Sequence, residues 1–346
     1  MRIPLSGRFR RMVRAWPLGL GMVLGIHAFA PSPAAAEKVR LTTPVETMSE
    51  TALYIAKDRG FFAAEGLEVE VIVTGGSGPD VQALLAGEVQ FSYTPGTFAI
   101  RVLHQGKAIR AVMTALNRCI INVAMHKEVA QARGIGPDTP VEAKLRALKG
   151  LKLGATRVGA LTYDLAYYFA RKVGLEPQKD ITILGMGAGG ALIAGLEQRK
   201  IDAFLTAIPV PETAVQRGQA ILLVNNARGE FPDLKEFLMI NLLVRPEFAR
   251  QNPETVRRMV RALVRANQWA LDRPTEEVRD VLAKSLKGID PAVLLEAVEN
   301  VRPAISRDGV TTEAMVKATL DVLEAGGLIR PRINLSDVAT NEYLPR

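Results

Sequence analysis

Apolar and polar residues alternate along Lys38-Val39-Arg40-Leu41-Thr42-Thr43 and again along Leu67-Glu68-Val69-Glu70-Val71-Ile72-Val73, the two-residue period of strands. Between them the period changes. Ala52, Ile55 and Ala56 put an apolar stripe on a helix over residues 50–62, and Gly60 and Gly66 punctuate its end. Past Gly75-Gly76-Ser77-Gly78 the spacing predicts a helix over 79–86, with Pro79 and Asp80 in first-turn positions and Gly87 as its stop. A strand over 89–93, a helix over 98–105 and a strand over 109–114 follow. The rhythm then restarts, with strands over 151–155, 180–184, 201–205, 220–224 and 237–244 and helices over 161–173 and 191–198. Beyond Arg245 the long amphipathic stretches are helical, over 253–271, 275–285, 291–298 and 313–325. Strand–helix units this short predict an α/β fold with parallel or mixed sheets, in two halves, followed by a helical C-terminal layer.

The start of the chain reads differently. Arg2, Arg8, Arg10, Arg11 and Arg14 precede a short apolar run over 15–30, and Ala34-Ala35-Ala36 follows Pro31-Ser32-Pro33. A basic head, a short apolar middle and an A-x-A end predict a secretory signal peptide over 1–36, cleaved after Ala36. The run is shorter than the roughly 20 residues that span a bilayer. Arg10-Arg11 leaves both the general and the twin-arginine export routes open. Loss of those five arginines lowers the formal charge from +8 to +3, so much of the basic character belongs to the leader.

What remains suffices for two lobes or one large domain. No Lys/Arg block interleaves with aromatics, so no nucleic-acid partner is expected. The single cysteine, Cys119, lies in an apolar stretch and reads as a buried inert thiol. Beyond the leader only His104 and His126 remain, with no H-E-x-x-H and no G-x-S-x-G, so neither a metal nor a cofactor is expected. Arg257, Arg258, Arg261 and Arg265 mark a basic face on the helix from Pro253, whose Val256, Val260, Leu263, Val264 and Trp269 are expected to pack inward.

In open α/β sheets ligands sit beyond the carboxyl ends of strands, where loops meet helix N-termini with free N–H groups. Segments 43–49, 75–78, 94–97, 158–162 and 185–190 hold such positions and are rich in Gly, Ser and Thr. They supply the candidate ligand-binding residues Thr43, Met48, Ser49, Gly76, Ser77, Thr94, Pro95, Gly96, Thr97, Gly159, Ala160, Leu161, Thr162 and Gly187, to which Pro209 and Arg118 are added.

Tyr54-Ile55-Ala56, Gly60-Phe61-Phe62, Glu65-Gly66-Leu67, Gly75-Gly76 and Leu84-x-x-Gly87-Glu88-Val89-Gln90-Phe91 resemble the first lobe of the NMT1/THI5-like substrate-binding proteins, the sulfonate, taurine and nitrate binders of ABC importers, with pyrimidine-precursor binders as relatives. Leu148-Lys149-Gly150-Leu151-Lys152-Leu153-Gly154, Gly174-Leu175-Glu176-Pro177-x-Lys179-Asp180-Ile181 and Gly195-Leu196-x-x-x-Lys200-Ile201-Asp202-Ala203 resemble the second. The resemblance covers residues 38–211 and, loosely, the helical tail.

It implies a type II periplasmic-binding-protein fold, with lobe I over 37–120 plus 241–346, lobe II over 121–240, and hinge crossings near 116–123 and 225–241. It also implies a small-molecule ligand in the cleft, hinge closure, and delivery to a membrane permease by a protein that needs only to be a monomer. Many relatives carry Ser or Thr directly after the glycine opening the second-lobe helix, where this chain has Gly159-Ala160-Leu161-Thr162. Ala160 brings no hydroxyl, so Thr162 or backbone N–H groups would substitute, and a larger, less charged solute enters consideration beside sulfonate and nitrate. Tyr54, Tyr93, Phe98 and Tyr163 could wall such a pocket, and Arg118 or Arg157 could pair with an anionic group. Presentation to a membrane sensor, or THI5-like pyrimidine chemistry, are the alternative functions.

Overall fold

The computed structural model describes residues 36–187, 189–327 and 333–345. The expected leader falls outside them except for Ala36. Ten strands build two sheets. The first has the order β2 (Leu67–Val73), β1 (Glu37–Thr43), β3 (Phe91–Thr94), β10 (Ile240–Val244), β4 (Arg110–Leu116). The second has the order β7 (Thr182–Gly185), β6 (Lys152–Ala155), β8 (Ala203–Ala207), β5 (Ile121–His126), β9 (Ala220–Val224).

The two sheets share one plan. β1 pairs parallel with β2 and β3, and β6 with β7 and β8. A single antiparallel strand is then inserted, β10 between β3 and β4, and β5 between β8 and β9. Each inserted strand is the first one after the chain changes sheets. The chain leaves the first sheet through residues 117–120 and returns through 225–239. Both passages fall within the intervals expected for the hinge.

Burial explains the strand sequences. The edge strand β2 keeps Glu68 and Glu70 outside, where they pair with Lys38 and Arg40 of β1. The inserted strands β5 and β10 are flanked on both sides and read as apolar runs, Ile-Asn-Val-Ala-Met and Ile-Asn-Leu-Leu-Val, with every one of these residues buried. This is why residues 121–126 carry no alternating signal and read only as a crossing. The helix expected over 50–62 is broken into a 3₁₀ turn (Met48–Glu50), a helix (Thr51–Asp58) and a last turn (Phe61–Ala64), because Gly60 takes a left-handed φ of 69° between them.

The helical tail packs back on both halves. The Pro253–Asp272 helix buries Val256, Met259, Val260, Leu263, Val264 and Ala270 against the first sheet's helices. Its basic face is taken up within the molecule. Arg258 pairs with Glu37, Arg261 reaches Glu65 at 2.8 Å and Glu254 at 3.0 Å, and Arg265 lies 4.3 Å over the Phe61 ring. The Glu313–Ala325 helix touches Thr97–His104 on the first half and Leu161–Lys172 on the second.

Candidate functional site

The carboxyl ends of the parallel strands in both sheets face one cavity of about 690 Å³, within the roughly 300–1,000 Å³ of small-molecule sites. All five loop segments singled out in the sequence contribute to its wall. Of the candidate residues, Ser49, Gly76, Ser77, Pro95, Gly159, Ala160, Leu161, Thr162 and Gly187 line it.

The others lie elsewhere. Thr43 turns inward, its hydroxyl 3.0 Å from Glu50 Oε1 and 3.3 Å from the Tyr93 carbonyl. Met48 is buried in the core, and its N–H donates to the Ile208 carbonyl. Thr94 and Thr97 are fully buried, and Gly96 packs against Leu238 and Asn241. Pro209 caps the Val210–Gln216 helix, whose first residue, Val210, takes a place in the wall. Arg118 lies against Gly229 on the return passage. Of Tyr54, Tyr93, Phe98 and Tyr163, Phe98 lines the cavity. Tyr93 is fully buried, and Tyr163 stacks on Tyr167 with ring centroids 5.0 Å apart.

Several lining residues had no signal in the strand-end reasoning. Ile121, Met239 and Ile240 reach the cavity because the antiparallel strands β5 and β10 begin there rather than end there. Thr156, Thr206 and Ala207 sit at the carboxyl ends of β6 and β8 and follow the strand-end rule, which could have found them.

The wall is mostly apolar: Val45, Val73, Pro79, Pro95, Phe98, Ile121, Val158, Leu161, Val210, Met239 and Ile240. Among the described residues its charged side chains are Glu46 and Arg157, both exposed. Arg157 Nη2 donates to the Gly75 carbonyl at 2.5 Å. Thr162 is likewise engaged: its hydroxyl accepts the Thr156 N–H at 3.1 Å and lies 2.7 Å from the Thr156 hydroxyl. The Ser77–Ala86 and Leu161–Lys172 helices open at the cavity from Gly76 and Ala160 without a side-chain cap, and the Gly189–Glu197 and Val210–Gln216 helices also begin at its wall. The Ala160 carbonyl accepts from Tyr163 and Asp164, which leaves the Leu161 and Thr162 amides as the donors of that turn. Among the described residues no group of three or more His, Cys, Asp or Glu could hold a metal ion. Cys119 is fully buried, and burial pushes its thiol up to about 12.

Buried carboxyls brace the loops from behind. Glu50 accepts from the Thr47 N–H at 2.9 Å and from the Thr47 and Thr43 hydroxyls, fixing the 43–49 loop; burial pushes it up to about 8. Asp80 accepts from the Thr74 hydroxyl at 2.5 Å beside the glycine turn, and burial pushes it up to about 7. Glu212 accepts from Asn122 Nδ2 at 2.7 Å and is raised by burial to about 7. All three keep a proton to higher pH in the folded chain than in the unfolded chain, where it is released near the ordinary carboxylate range. The folded state therefore binds more protons through this window, and stability falls as pH rises from about 5 to 8. The denaturant midpoint should drop over that range, and Glu50→Gln should flatten the drop by about 2 kcal/mol. An unchanged slope in Glu50→Gln would show that Glu50 is already ionised when folded.

Two mixed α/β sheets with a cavity between their strand ends define a periplasmic-binding-protein fold. Residues 33–287 match the NMT1-like family, and the chain belongs to it. The riboflavin-binding protein RibY of Chloroflexus aurantiacus is 24% identical over 345 residues, covering 92% of this chain and 91% of that protein. The periplasmic aliphatic sulphonate binding protein SsuA from Escherichia coli has the same fold, with a TM-score of 0.67 at 16% identity over 89% of this chain and 99% of that one. The desulfurization enzyme DSZB shares it too, with a TM-score of 0.62 at 18% identity over 89% of this chain and 97% of its own. No helix among the described residues is long and apolar enough to cross a membrane.

Proposed function

We propose that this protein is exported to the periplasm, captures a small organic solute between its two halves and hands it, as a monomer, to the permease of an ABC importer. The observation that carries this reading is the cavity walled by strand ends of both sheets, in a chain of the NMT1-like family. The halves act as lobes over 37–120 plus 241–346 and over 121–240. Their two connecting passages bend, and the solute is enclosed by rigid-body closure.

The solute that fits best presents a large apolar surface with a few hydrogen-bond acceptors, in preference to a bare oxyanion. The wall is mostly apolar, the Arg157 guanidinium bonds a backbone carbonyl, and the available donors are helix amides and the hydroxyls of Ser49, Ser77 and Thr206. These donors would orient the solute while the apolar wall supplies affinity. The family relative named for riboflavin points the same way.

Capture without chemistry is tested by equilibrium dialysis of the protein against riboflavin, hexanesulfonate, nitrate and an aminopyrimidine. The expected result is saturable retention of at least one compound, recovered unchanged after denaturing the protein. Turnover of any of them would overturn the binding role in favour of an enzyme on this fold.

A further inference from the structure

We infer that Arg157 is a clasp that holds the two halves together over the cleft, and that Gly76 is its seat. This rests on the solute-capture reading and adds a device that biases the cleft toward its shut form.

Arg157 stands on the loop after β6, in the second half. Its guanidinium reaches the first half, where Nη2 donates to the Gly75 carbonyl at 2.5 Å. The group also lies close against Gly76: a Cβ built there would stand 2.7 Å from Arg157 Nη1 and 3.0 Å from Cζ. Gly76 has a φ of 169°, an extended conformation open to any residue, so its backbone does not demand glycine. The three atoms nearest to such a Cβ all belong to Arg157. The glycine makes room for the arginine.

The surroundings suit a contact that opens and closes. Among the described residues Arg157 has no carboxylate partner, and it is exposed, so it returns to water at little cost when the halves part. Among the described residues the large apolar side chains left exposed are Val73, at 46%, and Val158, at 72%. Both line the cavity, one from each half. A charge-assisted hydrogen bond in so exposed a setting biases an equilibrium without locking it.

The clasp can be read without any solute. Spin labels on Lys107→Cys and Lys179→Cys, exposed positions on opposite halves, in a Cys119→Ala background of the full chain, report the interlobe distance by pulsed electron resonance. Arg157→Ala should raise the fraction of long distances about fivefold, and Gly76→Ala should do the same by displacing the guanidinium. The double variant should go no further than either single one, because both remove one contact. Matching thermal unfolding of the four proteins checks that none has lost its fold. An unchanged distribution in Arg157→Ala, or additive effects of the two substitutions, overturns the clasp. Unchanged distances together with loss of hexanesulfonate or nitrate binding in Arg157→Ala would instead make Arg157 a solute contact. Silence in a solute screen bears on the capture reading and leaves these distances untouched.

Discussion

An aspartate in place of Ala160 should make the protein more stable and unable to bind its solute. Ala160 is the N-cap of the Leu161–Lys172 helix, with an extended φ and ψ of −81° and 159° and no side-chain bond to the first turn. An aspartate there accepts from the Thr162 amide and sets its charge against the positive end of the helix, which is worth about 1 kcal/mol. The same carboxylate occupies the donors that a solute would use and stands in an apolar cleft with a negative charge. Affinity should fall by at least about 100-fold, on the order of 3 kcal/mol. Thermal unfolding and calorimetric titration on one preparation would read both effects. Opposite signs separate a blocked site from a damaged fold, and unchanged affinity would move the site away from this helix start.

Loss of Arg101 should be the most damaging single change to an interlobe contact. Its Nη2 meets Asp164 Oδ1 at 2.6 Å, joining the Thr97–His104 helix of the first half to the Leu161–Lys172 helix of the second. The Asp164 side chain is only 4% exposed. Its carboxylate also lies at the C-terminal end of the Glu313–Ala325 helix, since a Cβ on Gly326 would stand 3.1 Å from Asp164 Oδ1. That helix end carries partial negative charge, so Arg101 is what makes the buried carboxylate tolerable. Burial already pushes the Asp164 carboxyl upward against the pull of Arg101. Arg101→Ala should cost about 2–3 kcal/mol near neutral pH, discounted for the partial exposure of the arginine. The folded carboxyl then rises further, so the loss should grow with pH. Adding Asp164→Asn should recover most of it, and denaturant unfolding of the two variants at pH 5 and 8 measures both statements.

The fold was legible wherever a segment has one wet face. The alternation in β1 and β2 and the stripe of the Pro253–Asp272 helix were visible because their polar sides meet solvent. β5 was read only as a crossing, since burial on both faces erases the period and leaves an apolar run, the weaker signal by which β8 and β10 were still read as strands. The cavity was legible as a set of loops, because strand-end topology places loops without knowing side-chain directions. It could not separate Ser49, which faces the cavity, from Met48 and Thr43, which turn into the core, because an irregular loop has no period to fix its faces. Ile121 and Ile240 needed the direction of the inserted strands, and the Arg157–Gly75 contact joins residues 82 apart in the chain. Neither is written in local sequence.

Much of the binding chemistry assigned to this cleft rests on what Ala160 and Arg157 leave available. The proposed preference for a weakly polar solute rests on the apolar wall and on a cation already bonded to backbone, whereas the bare amides of the helix start would serve an anion equally well. The duty of the buried carboxyls is then structural, holding the 43–49 and 74–76 loops in place so that the amides and hydroxyls converge.

The most direct test of capture in the cleft is a thermal-shift screen of the protein, unfolded and refolded to strip any carried solute, against riboflavin, aminopyrimidines, aromatic carboxylates, alkanesulfonates, taurine and nitrate. A solute at 100 times its dissociation constant adds about 2.7 kcal/mol, a rise of roughly 3 °C or more in the midpoint. The prediction is such a rise with at least one compound of the first three classes, absent in Ala160→Asp. A rise of the same size in Ala160→Asp, or no rise with any compound in the wild-type chain, would contradict it.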